Sequence, residues 1–265
     1  MSATLTLATR ERGGLPLVEL DHLRPWGVDA IITARNGGVS RGPYESLNLA
    51  AHVGDDPVAV AENRRRVAAA MGVAIDRLVI ASQVHGDVVN DVDDWDGTAL
   101  TGDALVSTRR DVALCVLVAD CVPLLFVDSG TARIGVAHAG WRGLARGVVE
   151  ATLSHFRDPS EVHVVIGPHI SLDRYQVGPE VAAHFFDVPH ACVEDVGDRW
   201  RLDLGAVAED QLRSRGVLDG HITRCDHSSD DVRLFYSDRS ARPCGRFGLV
   251  ARRTSYDSKV TGGTT

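Results

Sequence analysis

Apolar and polar residues follow one another along this chain in short blocks, and more of the blocks have strand length than helix length. DVALCVLVAD (111–120) is a nearly continuous apolar run, which predicts a strand buried on both faces. LLFVD (124–128), SGTA and RIGVAHAG (133–140) read as a hairpin. VDAIITAR (28–35), RLVIASQVHG (77–86), EVHVVIG (161–167), HITRC (221–225) and GRFGLVARR (245–253) read as further strands. Asp56-Pro57 opens a helix in which AVAENRRRVAAAM places apolar residues at helical spacing as far as Met71. WRGLARGVVEATLSHF (141–156), GPEVAAHFF (178–186) and LDLGAVAEDQLRSRGV (202–217) predict three more helices, and NGGVSRGPYESLNLA (36–50) a loop. Strands outnumber helices and do not alternate strictly with them. The pattern therefore predicts an α/β (α+β) fold, with mixed sheets covered by helices rather than a doubly wound sheet.

Composition narrows this picture. With 265 residues, 44% of them hydrophobic, the chain can bury a core without disulfides or metal. No Pro/Gly/Ser-rich linker interrupts it, which predicts a single domain over 1–253; the polar segment TSYDSKVTGGTT (254–265) reads as a disordered tail. A net charge of −8 argues against a nucleic-acid partner, and any phosphorylated ligand must meet a local arginine cluster. Cys115, Cys121, Cys192, Cys225 and Cys244 are odd in number and form no C-x-x-C pair, so a reducing, cytoplasmic setting is expected. MSATLTLATRERGG has no apolar stretch suited to a signal peptide, and no apolar run reaches the ~18 residues of a membrane span, so no membrane partner is expected.

Three residues stand where a strand hands a side chain to a cleft: His85 in SQVHG, Cys121 in ADCVPLL and His138 in GVAHAGWRG. Each is followed within two residues by Gly or Pro. Asp120 and Pro123 should break the strand around Cys121 and turn its thiol outward, whereas Cys115, inside the apolar run, reads as a buried hydrophobe. Either histidine alone reads equally well as a hydrogen-bonded core residue. Together, imidazole, thiolate and imidazole suit zinc and leave a fourth position open, but their separation rules out a local zinc-finger pattern, so the fold must assemble the site. Gln83, two residues before His85, would share its face in a strand. GWRGLARGVV offers a glycine turn into a helix with Arg142 at its start, an arrangement suited to an anion. Arg35 and Asn48, in the polar loop 35–49, are further candidates for substrate binding, as is Asp120.

GGVS…PYESLNLA, HVGDDPVAVAENRRR, SQVHG, GDALVS, VLVADCVPLLF, VAHAGWRGL, IGPHI, YQVG and CGRFG occur in the order found in the YfiH-like family, and the chain resembles that family over roughly 28–252. Its members also carry the names multicopper polyphenol oxidase (laccase-domain) protein, purine nucleoside phosphorylase and peptidoglycan editing factor. The resemblance implies a four-layered α-β-β-α sandwich with mixed sheets, related to cysteine hydrolases such as the deamidating necrotizing-factor toxins. It implies that His85, Cys121 and His138 are the zinc-binding or catalytic triad. It further implies phosphorolysis of adenosine and inosine, cleavage of methylthioadenosine, and deamination of adenosine; some members are credited with editing a peptidoglycan precursor. This chain departs from the family pattern at Arg174-Tyr175-Gln176-Val177 (commonly Cys-Tyr-Glu-Val), at Cys225-Asp226 (Cys-Thr) and at Ser237-Asp238-Arg239-Ser240 (Ser-Tyr-Arg-Arg). These departures bear on substrate preference and leave the triad intact.

The residues weigh against a multicopper oxidase. Eleven histidines include no His-x-His pair, and the only methionines are Met1 and Met71. The leading reading, which the resemblance implies, is a zinc-dependent purine nucleoside phosphorylase with adenosine deaminase activity, a monomer acting on nucleoside and phosphate, with copper able to enter the same site. The alternative is a metal-free thiol hydrolase that cleaves an amide of a UDP-MurNAc-amino acid precursor, with Cys121 as nucleophile, His138 or His85 as base and Asp120 as orienter. A third reading, a closed metal site in a binding protein, requires a fourth ligand, for which His169 and Cys225 are candidates.

Overall fold

The computed structural model describes residues 3–5, 8–128 and 130–254, and its centre is made from the apolar runs of the sequence. The N-terminal part forms strands β1 (Ala3–Leu5), β2 (Thr9–Arg12), β3 (Leu15–Glu19) and β4 (Val28–Thr33), then helix α1 (Pro57–Ala70). Six strands follow: β5 (Leu78–Ile80), β6 (Val89–Asp91), β7 (Ala104–Ser107), β8 (Ala113–Val118), β9 (Val122–Asp128) and β10 (Ile134–Ala139). Helices α2 (Trp141–Arg146) and α3 (Val148–Leu153) lead to β11 (Val162–Ile166) and β12 (Gln176–Val177). The remainder holds α4 (Pro179–Ala182), β13 (Cys192–Glu194), β14 (Trp200–Leu202), α5 (Leu204–Ser214), β15 (Ile222–Cys225) and β16 (Phe247–Arg253).

The strands assemble into a seven-stranded sheet, β1-β15-β11-β9-β10-β7-β6, a six-stranded sheet, β2-β3-β4-β16-β8-β5, and a small antiparallel sheet, β12-β14-β13. Both large sheets are mixed, as expected: β5 pairs with β8 in parallel in an otherwise antiparallel six-stranded sheet, and β1–β15, β15–β11 and β6–β7 are parallel in the seven-stranded one. Strand alternation explains the continuous apolar runs. Leu114, Val116 and Val118 of β8 meet Leu125 and Val127 of β9 and Val136 of β10 in one core between the two sheets. The opposite face of β9, Leu124 and Phe126, packs on Val148, Val149 and Leu153 of α3 and Val207 and Leu212 of α5. The opposite face of β8, Cys115 and Leu117, packs on Val67, Met71, Leu47 and Leu49. Every residue of β8 and β9 is thus buried. Cys115 is the core hydrophobe expected, its thiol pushed up to about 12 by burial.

Several local expectations differ from what the chain does. The single helix over 141–156 is broken at Gly147, whose φ of 92° is left-handed and cannot continue a helix, so α2 and α3 form instead. The strand over 77–86 ends at Ile80, and the helix over 178–186 keeps regular geometry only over Pro179–Ala182. Pro123 does not break the chain but stands second in β9, beyond the last register pair of β9 with β11, Leu124 with Ile166. The expected tail at 254–265 lies outside the described residues apart from Thr254, whose N–H donates to the Gly27 carbonyl at 2.8 Å. None of the five cysteines is in a disulfide. Among the described residues no helix is long and apolar enough to cross a membrane.

The polar loop 36–50 is held from beneath by one side chain of α1. Asn63 is fully buried; its Oδ1 accepts from the Val39 N–H at 2.9 Å. Its Nδ2 donates to Ser40 Oγ, the Ser46 carbonyl and the Asn48 carbonyl at 2.8, 3.1 and 2.8 Å. Asn63→Ala removes these bonds and strands their partners, so a loss of about 2–4 kcal/mol is expected in urea unfolding. An unchanged midpoint would show that the loop holds itself.

Candidate active site

Among the described residues two non-glycine residues have a left-handed backbone, His85 (φ 57°) and Asp120 (φ 87°), and both belong to one cleft. Asp120 precedes Cys121 in the turn by which the chain leaves β8 of the six-stranded sheet and enters β9 of the seven-stranded sheet. Its carboxylate fixes that crossing: Oδ1 accepts from Ser229 Oγ and Oδ2 from the Arg239 N–H, each at 2.7 Å. Its carbonyl accepts from the Ile170 N–H at 3.0 Å. Cys121 then emerges half-buried at the cleft wall, with His138 beside it, buried near the end of β10.

The histidines are tied together by a residue that the motif analysis does not single out. Asp103, with no exposed surface, takes His138 Nδ1 at 2.8 Å. The same carboxylate accepts from the N–H groups of Val84, His85 and Gly86 at 3.1, 3.0 and 2.7 Å. Its own carbonyl accepts from the His138 N–H at 2.7 Å. One buried carboxylate thereby shapes the His85 turn and orients the His138 ring, leaving Nε2 of His138 for the cleft. Burial alone would raise the Asp103 carboxyl; the His138 ring and the backbone N–H groups outweigh it and bring it below the usual range. The orienter expected at Asp120 is therefore Asp103, since both oxygens of Asp120 are engaged elsewhere.

The donor atoms of His85, Cys121 and His138 lie within 4.8 Å of one another, and the two rings meet edge-on with centroids 4.7 Å apart. Gly140 makes room for them: a Cβ there would stand 2.9 Å from Cys121 Sγ and 3.0 Å from His85 Nδ1. Burial disfavours the Cys121 thiolate, but the charge of His138 and hydrogen bonds from His138 and His85 bring the thiol down to about 6. Burial likewise disfavours the His138 imidazolium; the Cys121 charge and the Asp103 carboxylate raise it to about 9. Near neutrality the metal-free pair is a thiolate and an imidazolium. The same two imidazoles and thiolate are borderline-soft donors close enough to share one first-row metal ion, with zinc suited to the set.

The cleft has a volume of about 400 Å³ and is lined by the triad together with Gln83, Asp120 and Arg142. The amide of Gln83 is occupied: it donates to the Leu117 carbonyl and accepts from the Leu117 N–H, both at 2.8 Å, clipping the turn to β8. Arg35 and Asn48 are not part of this lining. Arg35 donates to the carbonyls of Glu45 and Val232, and Asn48 to Asp55 and the Ala50 carbonyl, so both build the 36–50 loop. His169 and Cys225, the candidates for a fourth ligand, line a separate cleft near Arg224. Tyr175, Asp238, Arg239, Arg242 and Arg246 also line the triad cleft.

The chain is similar to known proteins in both sequence and fold. Residues 29–253 match the family model described as multi-copper polyphenol oxidoreductase laccase. A purine nucleoside phosphorylase of Pseudomonas aeruginosa is 41% identical over 237 residues, 87% of this chain and 95% of the relative. The purine nucleoside phosphorylase YfiH of Escherichia coli is 37% identical over 238 residues, 84% of this chain and 93% of the relative. The crystal structure of YlmD from Geobacillus stearothermophilus superposes with a TM-score of 0.87 at 32% identity, covering 94% of this chain and 99% of that one.

Two measurements probe the site. Iodoacetamide labelling of Cys121 in metal-free protein, followed by peptide mass spectrometry, is expected to fall on acidification with a midpoint near 6; a midpoint near the ordinary 9.0 of a thiol would refute the ion pair. Asp103→Asn puts an amide N–H₂ where backbone N–H groups already point. It is expected to weaken zinc binding about 10–100-fold in a competition titration, and wild-type affinity would show that Asp103 does not orient the triad.

Proposed function

The chain belongs to the multi-copper polyphenol oxidoreductase laccase family, and we propose that within it this protein is a zinc-dependent purine nucleoside phosphorylase acting on adenosine, inosine and methylthioadenosine, with adenosine deaminase activity. The observation that carries the reading is the convergence of His85, Cys121 and His138 in a chain about 40% identical to proteins named as purine nucleoside phosphorylases. His85, Cys121 and His138 would hold the ion, and copper could enter the same donors. Zinc held there would supply Lewis acidity to the reaction.

The residues of the chain have separate tasks in this scheme. In phosphorolysis a phosphate oxygen forms a bond to the anomeric carbon of the ribose as the bond to the purine nitrogen breaks, and a proton goes to the departing base. Catalysis rests on holding the dianion and the sugar in line and on stabilising charge on the leaving base. Arg142, at the start of α2 and exposed to the cleft, contributes to the phosphate site. Asp103 keeps a proton on Nδ1 of His138 and so fixes which nitrogen faces the reaction. We read the two facing sheets and their outer helices as the four-layered α-β-β-α sandwich, forming one catalytic domain over 1–253, active as a cytoplasmic monomer.

A multicopper oxidase does not suit these residues. Among the described residues one cluster of three or more potential ligands is present, and Met71 packs on the far face of the six-stranded sheet. One observation does favour a second reading. Cys121, His138 and Asp103 form a thiolate–imidazolium–carboxylate series, the arrangement of a cysteine hydrolase, which suits amide cleavage in a peptidoglycan precursor.

Incubation of the purified protein with inosine and phosphate is expected to give hypoxanthine and ribose 1-phosphate, to stop on chelation and to recover on addition of zinc. No ribose 1-phosphate in the presence of zinc would overturn the phosphorylase reading. Release of an amino acid from a UDP-MurNAc-linked substrate that survives chelation and is lost in Cys121→Ser would establish the hydrolase instead.

A further inference from the structure

Asp120, the residue before Cys121, is a buried carboxylate that forms no ion pair among the described residues. Its charge rests on neutral donors: the Ser229 hydroxyl on Oδ1 and the Arg239 N–H on Oδ2, each at 2.7 Å. The Arg239 donor is main chain and would survive any change of that side chain. The Ser229 hydroxyl is the one side-chain donor, and it comes from 109 residues further along the chain. A carboxylate oxygen in the interior is costly without a donor. Deprived of that hydroxyl, Oδ1 must turn toward water, and the triad cleft, whose wall Asp120 joins, is where it would find it.

Ser229 has no exposed surface and sits in the turn that follows β15. That turn is anchored on the one that follows β11. The Ser229 N–H and the Ser228 hydroxyl both donate to the His169 carbonyl, at 2.9 and 3.0 Å, and the Ser171 N–H donates to Ser228 Oγ at 3.1 Å. The turn after β11 in turn grips both flanks of Cys121. The Ile170 N–H donates to the Asp120 carbonyl at 3.0 Å, and the Gly167 N–H to the Pro123 carbonyl at 2.9 Å. A Cβ on Gly167 would stand 2.7 Å from Pro123 Cγ, so this approach is close. β11 and β15 are themselves parallel neighbours, which gives the two turns a common rigid base. At so buried a position serine packs no better than alanine, and its hydroxyl must be bonded. The bond it makes is the one to Asp120.

We propose that Ser229 is a positioning residue for Cys121, acting through Asp120. Its hydroxyl keeps the Asp120 carboxylate in the interior, and the left-handed turn at φ 87° thereby presents Sγ of Cys121 to His85 and His138. Without that hydroxyl the carboxylate turns into the cleft, the peptide between Asp120 and Cys121 follows it, and a negative charge comes to lie beside the sulfur. Asp103 aims the two histidines, and Ser229 aims the cysteine they meet. The inference holds whichever reaction the cleft performs, because a metal ligand and a thiol nucleophile both require Sγ at this point.

Two measurements on the full-length protein test the assignment: zinc affinity by competition titration, and the rate at which iodoacetamide alkylates Cys121 in metal-free protein at pH 6, read by peptide mass spectrometry. Ser229→Ala is expected to bind zinc about tenfold more weakly. Its Cys121 is expected to be alkylated about fivefold more slowly, as the sulfur leaves the two imidazoles. Thr152→Ala removes an equally buried hydroxyl from α3, one that donates to the Val148 carbonyl at 2.7 Å, and is expected to change neither quantity. In an Asp120→Ala background Ser229→Ala is expected to have no further effect, since the hydroxyl acts through that carboxylate. Melting temperatures check that each variant folds. A wild-type alkylation rate in Ser229→Ala would overturn the assignment, as would an undiminished effect of Ser229→Ala in the Asp120→Ala background or an equal slowing in Thr152→Ala. A wild-type protein that binds no zinc would remove the metal from the site and leave alkylation to decide the role of Ser229.

Discussion

Asp103 is a carboxylate with no exposed surface that accepts from four donors, three of them consecutive backbone N–H groups and the fourth the ring of His138. A buried charge of this kind is strongly unfavourable unless every lone pair is used. Here the donors come from two segments, the 84–86 turn and β10, which are otherwise independent in sequence. The carboxylate is satisfied only when the His85 turn and the His138 ring are both in place, so satisfaction of one group enforces the geometry of the other. The arrangement also selects a protonation state. Asp103 is held ionised, a proton is held on Nδ1 of His138, and the other ring nitrogen is turned toward Cys121.

Cys121 reaches the same point by a different route. β8 and β9 are adjacent in sequence yet lie in different sheets, so the three residues between them cross the central core. A crossing turn so close to two buried strands leaves little freedom, and Asp120 accepts its left-handed backbone because its carboxylate and carbonyl are all bonded. Gly140 completes the site by having no side chain, since any Cβ there would enter the space of both Cys121 and His85. Rigid sheets thus supply the positions, and short strained turns at their ends supply the aim.

The parts of this arrangement that were legible in the sequence share a property: each carries its own local signal. The apolar run at 111–120 declares a strand buried on both faces, and a His or Cys beside a Gly or Pro at a strand end declares a side chain presented to a cleft. Asp103 carries no such signal, because its partners are a turn at 84–86 and a ring at 138 that only the fold brings near. Arg242 was invisible for the same reason, since its polar segment reads as loop; Arg239 was marked only as part of a departure bearing on substrate preference, and Arg246 only as part of a strand-like run. The break of 141–156 at Gly147 was open to reading, since glycine tolerates the left-handed conformation, but apolar periodicity on either side masked it. The N-terminal strands and the small β12-β14-β13 sheet are too short for periodicity to distinguish them from loop.

Charge distribution connects the site to the choice between the two chemistries. The chain as a whole carries −8, so a local excess of guanidinium at the triad cleft runs against the average of the molecule and must be maintained by specific packing. Aromatic faces and backbone carbonyls do this for Arg142 and Arg239 without neutralising them. A thiol hydrolase acting on an amide needs a nucleophile, a base and donors for an oxyanion, and a UDP-linked substrate would add a diphosphate for the two guanidiniums to meet. A phosphorolytic enzyme needs a dianion held within reach of the reacting carbon, and an unneutralised guanidinium pair next to the triad meets that need. The ionised thiol, by contrast, is maintained by His138 and His85.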